Sequence, residues 1–183
     1  MSRTDFDGGS VRTVLGWLNE NGERVAMYTL YTYIIFIIGM EVVRRFGLSI
    51  PSRWGEETAR LLYVYLTWIG ASWGIRKRAH IRIDFVYEYL SERAKGGLYV
   101  LSDLLFVVFA VFMIRWSVSQ LQTLLEFGAR TQAGTAPRVF FFFAIPLGGG
   151  LMILRALQMT YLDVTALRRG APVYEGAPIF GSD

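Results

Sequence analysis

Four long apolar runs follow one another along the chain, with short polar segments between them. They occupy residues 25–43, 57–76, 98–118 and 139–160. A helix rises about 1.5 Å per residue, so about 20 residues cross a bilayer core of about 30 Å. The runs show little of the polar face that a helix on the surface of a water-soluble protein presents. The pattern therefore predicts an all-α integral membrane protein with four transmembrane helices.

Two further segments show apolar residues at helical spacing and are predicted to be short amphipathic helices at the membrane interface. The first lies in the N-terminal tail, begins at Ser10 as its N-cap, and carries the apolar residues Val11, Val14, Leu15 and Leu18. The alternative for this segment is a partly ordered tail. The second helix is Ile81–Arg93, and Gly96 and Gly97 are expected to break it before the third span.

The chain is long enough for one domain, and we expect residues 1–170 to form a single four-helix membrane domain. Pro146, followed by three glycines, predicts a kink or a loosened helix in the fourth span. Residues 128–135 are expected to form a flexible outer loop, and residues 171–183 a disordered tail. No internal repeat is visible, although complete secondary transporters commonly have one.

The basic residues indicate how the chain is oriented in the membrane. With four spans both termini lie on one side, and eleven Lys and Arg residues fall on that side against five on the other. Because cytoplasmic segments are enriched in Lys and Arg, we expect both termini in the cytoplasm and the first span as an uncleaved anchor. The net charge of +4 is then explained by the basic segments that set the orientation in the membrane, and no nucleic acid partner is predicted.

Charged residues inside the apolar runs are costly and normally face partners or water. Counted from the ends of their spans, Glu41 and Arg115 share an outer depth, and Asp103 and Arg155 share an inner depth. We therefore predict an outer ion pair between Glu41 and Arg115, which Arg60 joins. A second pair, Asp103 with Arg155, is predicted at the inner depth. Such pairs either fix the order of the helices or line a proton or ion path.

The second span has contacts of its own. Glu57 and Arg60 lie one helical turn apart and are predicted to form an ion pair. Gly70 and Gly74 form a GxxxG pattern, which permits the close approach of another helix. That helix belongs either to this chain or to another protein.

Little in the sequence points to catalysis. There is no cysteine, and the one histidine is His80, so a two-histidine haem site within this chain is excluded. Neither an HExxH motif nor a Walker loop is present. We predict no catalytic, substrate-binding or metal-binding residue, no cofactor and no enzymatic activity. His80 is expected to donate to Asp84 or to a neighbouring carbonyl.

The segment from Trp54 to Asp84 resembles the small membrane subunit of TRAP (tripartite ATP-independent periplasmic) transporters. The residues that carry the resemblance are Trp54, Glu57, Arg60, Leu61, Gly70, Ala71, Arg76, His80, Ile81 and Asp84. A second piece, Pro137 followed by Pro146 in the fourth span, is similar to the same family. Together with Gly74, these positions are expected to act in helix packing and in shaping helix ends.

The resemblance implies that the subunits of the transporter have different roles. In that family the small subunit pairs with a large multi-span membrane subunit, which holds the sodium and substrate sites and moves like an elevator. A periplasmic substrate-binding protein delivers the substrate, usually an organic acid anion. The resemblance therefore implies a non-catalytic scaffold subunit of a sodium-coupled symporter in the bacterial inner membrane, surrounded by membrane lipids.

Two alternatives remain open from the sequence. The first is a self-sufficient, small four-helix proton-coupled transporter, which requires a carboxylate open to water near the midplane. Glu41 is the candidate, although it lies near one end of its span. The second is a membrane-bound enzyme or electron-transfer anchor, which the missing nucleophile and histidines disfavour.

Overall fold

The computed structural model of the chain describes residues 8–50, 52–79, 90–134 and 136–174. The helices are α1 (Gly8–Val42), α2 (Arg53–Lys77), α3 (Glu92–Glu126) and α4 (Val139–Arg169), with a π-helical turn at Val43–Gly47. Three of them, α1, α3 and α4, are long and apolar enough to cross a membrane. The predicted all-α membrane fold is thereby confirmed. The more polar α2 is 25 residues long and contains the second predicted run.

The four helices pack side by side in an order that differs from the order along the chain. α3 packs on α4, α4 on α2, and α2 on α1. α1 and α3 are therefore the two edges of the bundle, and α2 and α4 form its middle. In the most apolar stretch of α4, 33% is buried, against 17% in each edge helix. One core cluster, with Ala110 and Ala156, joins α2, α3 and α4, and a second, with Ile37 and Ala59, joins α1 and α2.

α4 runs without interruption through Pro146 and the glycines after it, so the helix is not broken there, and the expected kink stays a prediction. The glycines serve close packing instead. A Cβ atom added to Gly148 would overlap Cβ of Trp68 on α2. One added to Gly149 would lie 2.9 Å from Cγ1 of Ile114 on α3. These two positions let α2 and α3 approach the backbone of α4 closely.

We predict that Gly148→Ala destabilises the protein by about 1–3 kcal/mol, because the new methyl group would overlap the base of the Trp68 side chain. Gly150→Ala is the matched control, since no atom lies within 4 Å of a Cβ added at Gly150. Unfolding of both variants in mixed detergent micelles, followed by circular dichroism, gives the comparison. Equal stability of the two variants would contradict the assigned packing.

The first predicted amphipathic helix is not a separate element. α1 begins at Gly8 and continues through the first apolar run, so Ser10 lies inside the helix and is not its N-cap. The described side chains from 12 to 20 are exposed. Asn21 and Gly22, a pair that favours a turn, lie between this segment and the first span, yet the helix continues through both.

The second predicted amphipathic helix, Ile81–Arg93, lies largely outside the described residues. Its last two residues belong to α3, which begins at Glu92. α3 then runs through Gly96 and Gly97, so the expected break is wrong. A Cβ atom on Gly96 would lie 2.7 Å from Cδ2 of Leu167, so the absence of a side chain at Gly96 leaves room for Leu167 of α4.

The connection between α3 and α4 is a hydrogen-bonded hairpin, although residues 128–135 were expected to be flexible. Arg138 N–H donates to the Ala129 carbonyl at 2.9 Å, and Thr131 N–H donates to the Ala136 carbonyl at 3.1 Å. Pro137 lies in a bridge opposite Arg130 and directly before α4. Of the predicted disordered tail, residues 171–174 have no regular structure, and residues 175–183 lie outside the described residues.

Candidate functional site

A buried ion pair joins α1 to α4. Nε of Arg155 donates to both carboxylate oxygens of Glu23 at 3.1 Å. Ser72 of α2 donates its hydroxyl to the same carboxylate at 2.6 Å, and Ser72 is fully buried. Because three helices contribute to this contact, it fixes their mutual position. It also provides a counter-charge for Arg155.

The same cluster holds the backbone of α1. Arg155 donates to the Asn19 carbonyl at 2.8 Å and to the side-chain oxygens of Asn19 and Gln158. Arg76, from the end of α2, donates to the Asn19 carbonyl and, at 3.1 Å, to the Glu20 carbonyl. We call this group the Arg155 cluster: Asn19, Glu23, Ser72, Arg76, Arg155 and Gln158.

A second buried group forms where α2 ends. Arg78 adopts the left-handed backbone conformation, with φ of 51°, and its N–H caps the carbonyls of Gly74 and Ile75. Its side chain is buried in the bundle, where the guanidinium donates to Asp163 of α4. Asp103 of α3 lies 3.8 Å from the same guanidinium.

The ring of Tyr99 completes this group, with its centroid 4.1 Å from the guanidinium carbon of Arg78. An arginine over an aromatic face is favourable when both are desolvated, and Tyr99 is buried. We call this group the Arg78 cluster: Arg78, Tyr99, Asp103 and Asp163. It joins α2, α3 and α4 at the same end of the bundle as the Arg155 cluster.

Both predicted interhelical ion pairs are wrong. Asp103 lies beside Arg78, and Arg155 is paired with Glu23. Glu41 lies on α1 and Arg115 on α3, and these two edge helices do not pack on each other. The depth of each charge could be counted along its span, but the lateral order of the helices could not.

Glu41 lies at the other end of the bundle, where α1 gives way to α2. Its carboxylate accepts hydrogen bonds from the Ser52 backbone N–H at 2.7 Å and from the Ser52 hydroxyl at 2.5 Å. A Cβ atom on Gly55 would lie 2.9 Å from Oε2 of Glu41, so the glycine leaves room for this carboxylate. Glu41 therefore closes the turn between the two helices.

A charged hollow of about 540 Å³ opens beside this turn. Its lining residues are Glu41, Arg45, Ser52, Arg53, Glu56, Glu57, Arg60, Gln132 and Ala133. Arg45 and Glu56 form an exposed pair at 3.6 Å. Glu57 is buried and accepts from the Ala133 N–H at 3.4 Å, which ties the α3–α4 hairpin to α2. The predicted pairing of Glu57 with Arg60 stays a prediction.

The remaining motif positions lie on α2 or at the start of α4. Trp54 stacks with the Arg44 guanidinium, whose central carbon lies 6.0 Å from the ring centroid. A Cβ atom on Gly70 would lie 3.6 Å from Sδ of Met27, so the GxxxG face approaches α1 of this chain. The Gly74 carbonyl accepts from the Ala79 N–H at 2.9 Å. The predicted contact between His80 and Asp84 lies outside the described residues.

Besides Arg78, six residues of the two clusters lay outside our sequence predictions: Asn19, Glu23, Ser72, Tyr99, Gln158 and Asp163. Glu23 and Asp163 lie just outside the predicted spans, where we did not expect burial, and Asn19 belongs to the exposed part of α1. A signal for Asp163 was present, because Arg155, Met159 and Asp163 recur every four residues on one face of α4, and all three are buried. The burial of Arg78 was also not predicted, since a helix ending in three basic residues is typical of an interface.

In these groups, charged side chains are paired with opposite charges or with hydrogen-bond donors of the same chain. Each buried charged side chain that the structure describes has a polar partner in the same chain. Within the described ranges no three His, Cys, Asp or Glu side chains come together in a way that could hold a metal ion. The arrangement fixes helices against one another, and it presents no buried charge to a solute.

Comparison with known proteins identifies a family. Residues 34–166 match the family described as the DctQ component of tripartite ATP-independent periplasmic transporters. The matched segment begins in the second half of α1 and includes α2, α3 and nearly all of α4. It therefore contains the whole Arg78 cluster and the part of the Arg155 cluster that α2 and α4 supply.

Individual relatives agree with this match. The chain is 26% identical over 151 residues to the isethionate TRAP transporter permease protein DctMQ of Oleidesulfovibrio alaskensis, covering 79% of this chain and 24% of that protein. It is 24% identical over 144 residues to the sialic acid TRAP transporter small permease protein SiaQ of Vibrio cholerae, covering 78% of this chain and 81% of that protein. With the sialic acid TRAP transporter permease protein SiaT of Haemophilus influenzae the identity is 28% over 130 residues, covering 71% of this chain and 21% of that protein.

Proposed function

The chain belongs to the DctQ family of tripartite ATP-independent periplasmic transporters, and we propose that it is the non-catalytic scaffold subunit of a sodium-coupled importer of organic acid anions. It is a multi-pass protein of the inner membrane. In the proposed complex a large membrane subunit carries the sodium and substrate sites, and a periplasmic protein delivers the substrate. Both termini of this chain lie in the cytoplasm.

The proposal rests on the observation that the buried charged side chains are paired with one another. Glu23 and Arg155 neutralise one another, and Arg78 is held between Asp103 and Asp163. A transport site needs polar groups that can exchange a protein partner for a solute. Side chains locked between three helices instead resist deformation, as a scaffold must when its partner moves.

The lengths of the relatives support a large membrane partner. The match covers 24% of one relative and 21% of another, so this segment occurs there within a much longer polypeptide. It covers 81% of a third relative, whose name describes a small permease protein. We infer that the present chain corresponds to the part shared by all three and that the large membrane subunit of the proposed complex corresponds to the rest of the two longer proteins.

A self-sufficient proton-coupled transporter receives less support from the geometry. Such a protein needs a carboxylate that exchanges protons with water near the midplane. Glu41, the candidate, accepts two hydrogen bonds from Ser52 at the turn between α1 and α2, so it lies at the end of the bundle.

The test is reconstitution into proteoliposomes of this chain, of the large subunit, or of both, with the binding protein outside. The substrate is first identified by thermal-shift screening of the binding protein against organic acids. We expect sodium-dependent uptake from vesicles that hold both membrane chains, and none above the protein-free background from vesicles that hold this chain alone. Uptake by this chain alone would contradict the scaffold function.

A further inference from the structure

One edge of the bundle carries a charge that the described chain does not neutralise. Arg115 is exposed on α3, in an open groove of about 760 Å³ that α3 residues alone line. Phe112 and Trp116 flank it with 66% and 57% of their surfaces exposed. Ser119 and Gln122 continue the polar stripe along the same groove.

The groove lies on the side of α3 away from α4, because residues two positions apart on a helix point in nearly opposite directions. The Ser117 hydroxyl, two residues beyond Arg115, donates to the Phe142 carbonyl at 3.0 Å. Phe142 belongs to the aromatic run with which α4 begins. In the part of the chain that the structure describes, no carboxylate lies within ion-pair distance of Arg115. A guanidinium in such surroundings normally faces a partner or water and not hydrocarbon.

The opposite edge of the bundle has no such feature. Residues 25–40 of α1 include no charged side chain. The hydroxyl of Thr29 on this edge donates to the Val25 carbonyl of its own helix at 2.9 Å. The outer face of α1 is therefore compatible with lipid as it stands, whereas the outer face of α3 is not.

We propose that the α3 edge, defined by Phe112, Arg115, Trp116, Ser119 and Gln122, is the surface that docks on the large membrane subunit. The partner presents a carboxylate to Arg115 from a membrane helix, with apolar side chains against Phe112 and Trp116. Arginine suits this contact because its planar guanidinium binds a carboxylate through two parallel hydrogen bonds. This inference rests on the proposed function and specifies where the partner binds.

The first test measures co-purification of the large subunit with the tagged chain after co-expression. We expect Arg115→Leu to lower the recovered large subunit at least about tenfold, because the partner's carboxylate would lose its counter-charge. Arg115→Lys keeps the charge without the planar fork and is expected to retain an intermediate amount. Arg138→Leu is the matched control, since Arg138 is exposed at the same end of the bundle but lies outside the α3 edge.

The second test leaves Arg115 unchanged. Benzoylphenylalanine is placed at Phe112 on α3 or at Phe36 on α1, which are 66% and 64% exposed. Irradiation of cells that express both membrane chains should crosslink position 112 to the large subunit and position 36 to no protein. Mass spectrometry of the crosslinked peptide then identifies the helix that presents the carboxylate.

The outcomes separate this inference from the proposed function. If the unmodified chain recovers no large subunit, the proposed function itself fails. If Arg115→Leu recovers as much as the unmodified chain and position 112 gives no crosslink, Arg115 reaches the interface through lipid, and the α3 edge is not the docking surface. A crosslink from position 112 to a second copy of this chain would overturn the inference as well.

Discussion

Replacing Arg155 by methionine should lower the free energy of unfolding by about 3–5 kcal/mol, because Glu23 would be left as an unpaired buried carboxylate. Arg155 and Glu23 are 7% exposed each, so little water reaches either charge. The lost guanidinium also leaves the Asn19 carbonyl without one of its donors. Unfolding of the purified chain in mixed detergent micelles, followed by circular dichroism, measures the difference.

The control for this prediction is an ion pair of the same chemistry on the surface. Arg45 and Glu56 lie 3.6 Å apart with more than half of each side chain exposed, and such pairs contribute about 0–1 kcal/mol. Arg45→Met should therefore be nearly neutral. The double variant Glu23→Gln/Arg155→Met should recover most of the loss, since no buried charge remains unpaired. If Arg155→Met costs no more than Arg45→Met, the Arg155 cluster does not hold the bundle.

The second large effect is expected at Arg78. Arg78→Met would leave Asp103 and Asp163 as two buried carboxylates without their guanidinium, at a cost of about 3–5 kcal/mol. The neighbouring Lys77 is exposed at the end of the same helix, so Lys77→Met is the matched control. The same unfolding measurement in mixed micelles compares the two variants.

A glycine variant separates the charge of Arg78 from its backbone conformation. Arg78 has a φ of 51°, which glycine adopts without the steric cost that other residues meet. Arg78→Gly should therefore be less destabilising than Arg78→Met by about 1 kcal/mol. Equal stabilities of Arg78→Met and Lys77→Met would show that the carboxylates have another counter-charge.

The helices could be predicted from sequence because the membrane leaves few alternatives. A backbone without water must satisfy its hydrogen bonds internally, so a long apolar run in lipid becomes a helix. The second predicted run, residues 57–76, lies within α2, which is Arg53–Lys77. The beginning of α1 could not be predicted, because Asn21 and Gly22, which favour a turn, lie between the amphipathic tail and the first apolar run, yet the helix continues through both.

The pairing of charges could not be predicted because it depends on which helices are neighbours. Asp103 and Arg155 match in depth, yet Arg155 contacts α1 while Asp103 lies beside the end of α2. α2 is followed by Arg78, which adopts the left-handed backbone conformation. Because non-glycine residues seldom adopt this conformation, the sequence gives no strong signal for it. The glycines of α4 were ambiguous for a similar reason, because flexibility and close packing use the same residue.

Uptake by the reconstituted complex tests the central claim most directly. The claim is that the buried charges of this chain hold the helices of the bundle together and do not bind the transported solute. In proteoliposomes that hold both membrane chains, the double variant Glu23→Gln/Arg155→Met should assemble normally and take up the cognate anion within about twofold of the unmodified complex. A double variant that is stable and fully assembled but transports nothing would show that this pair takes part in moving the solute.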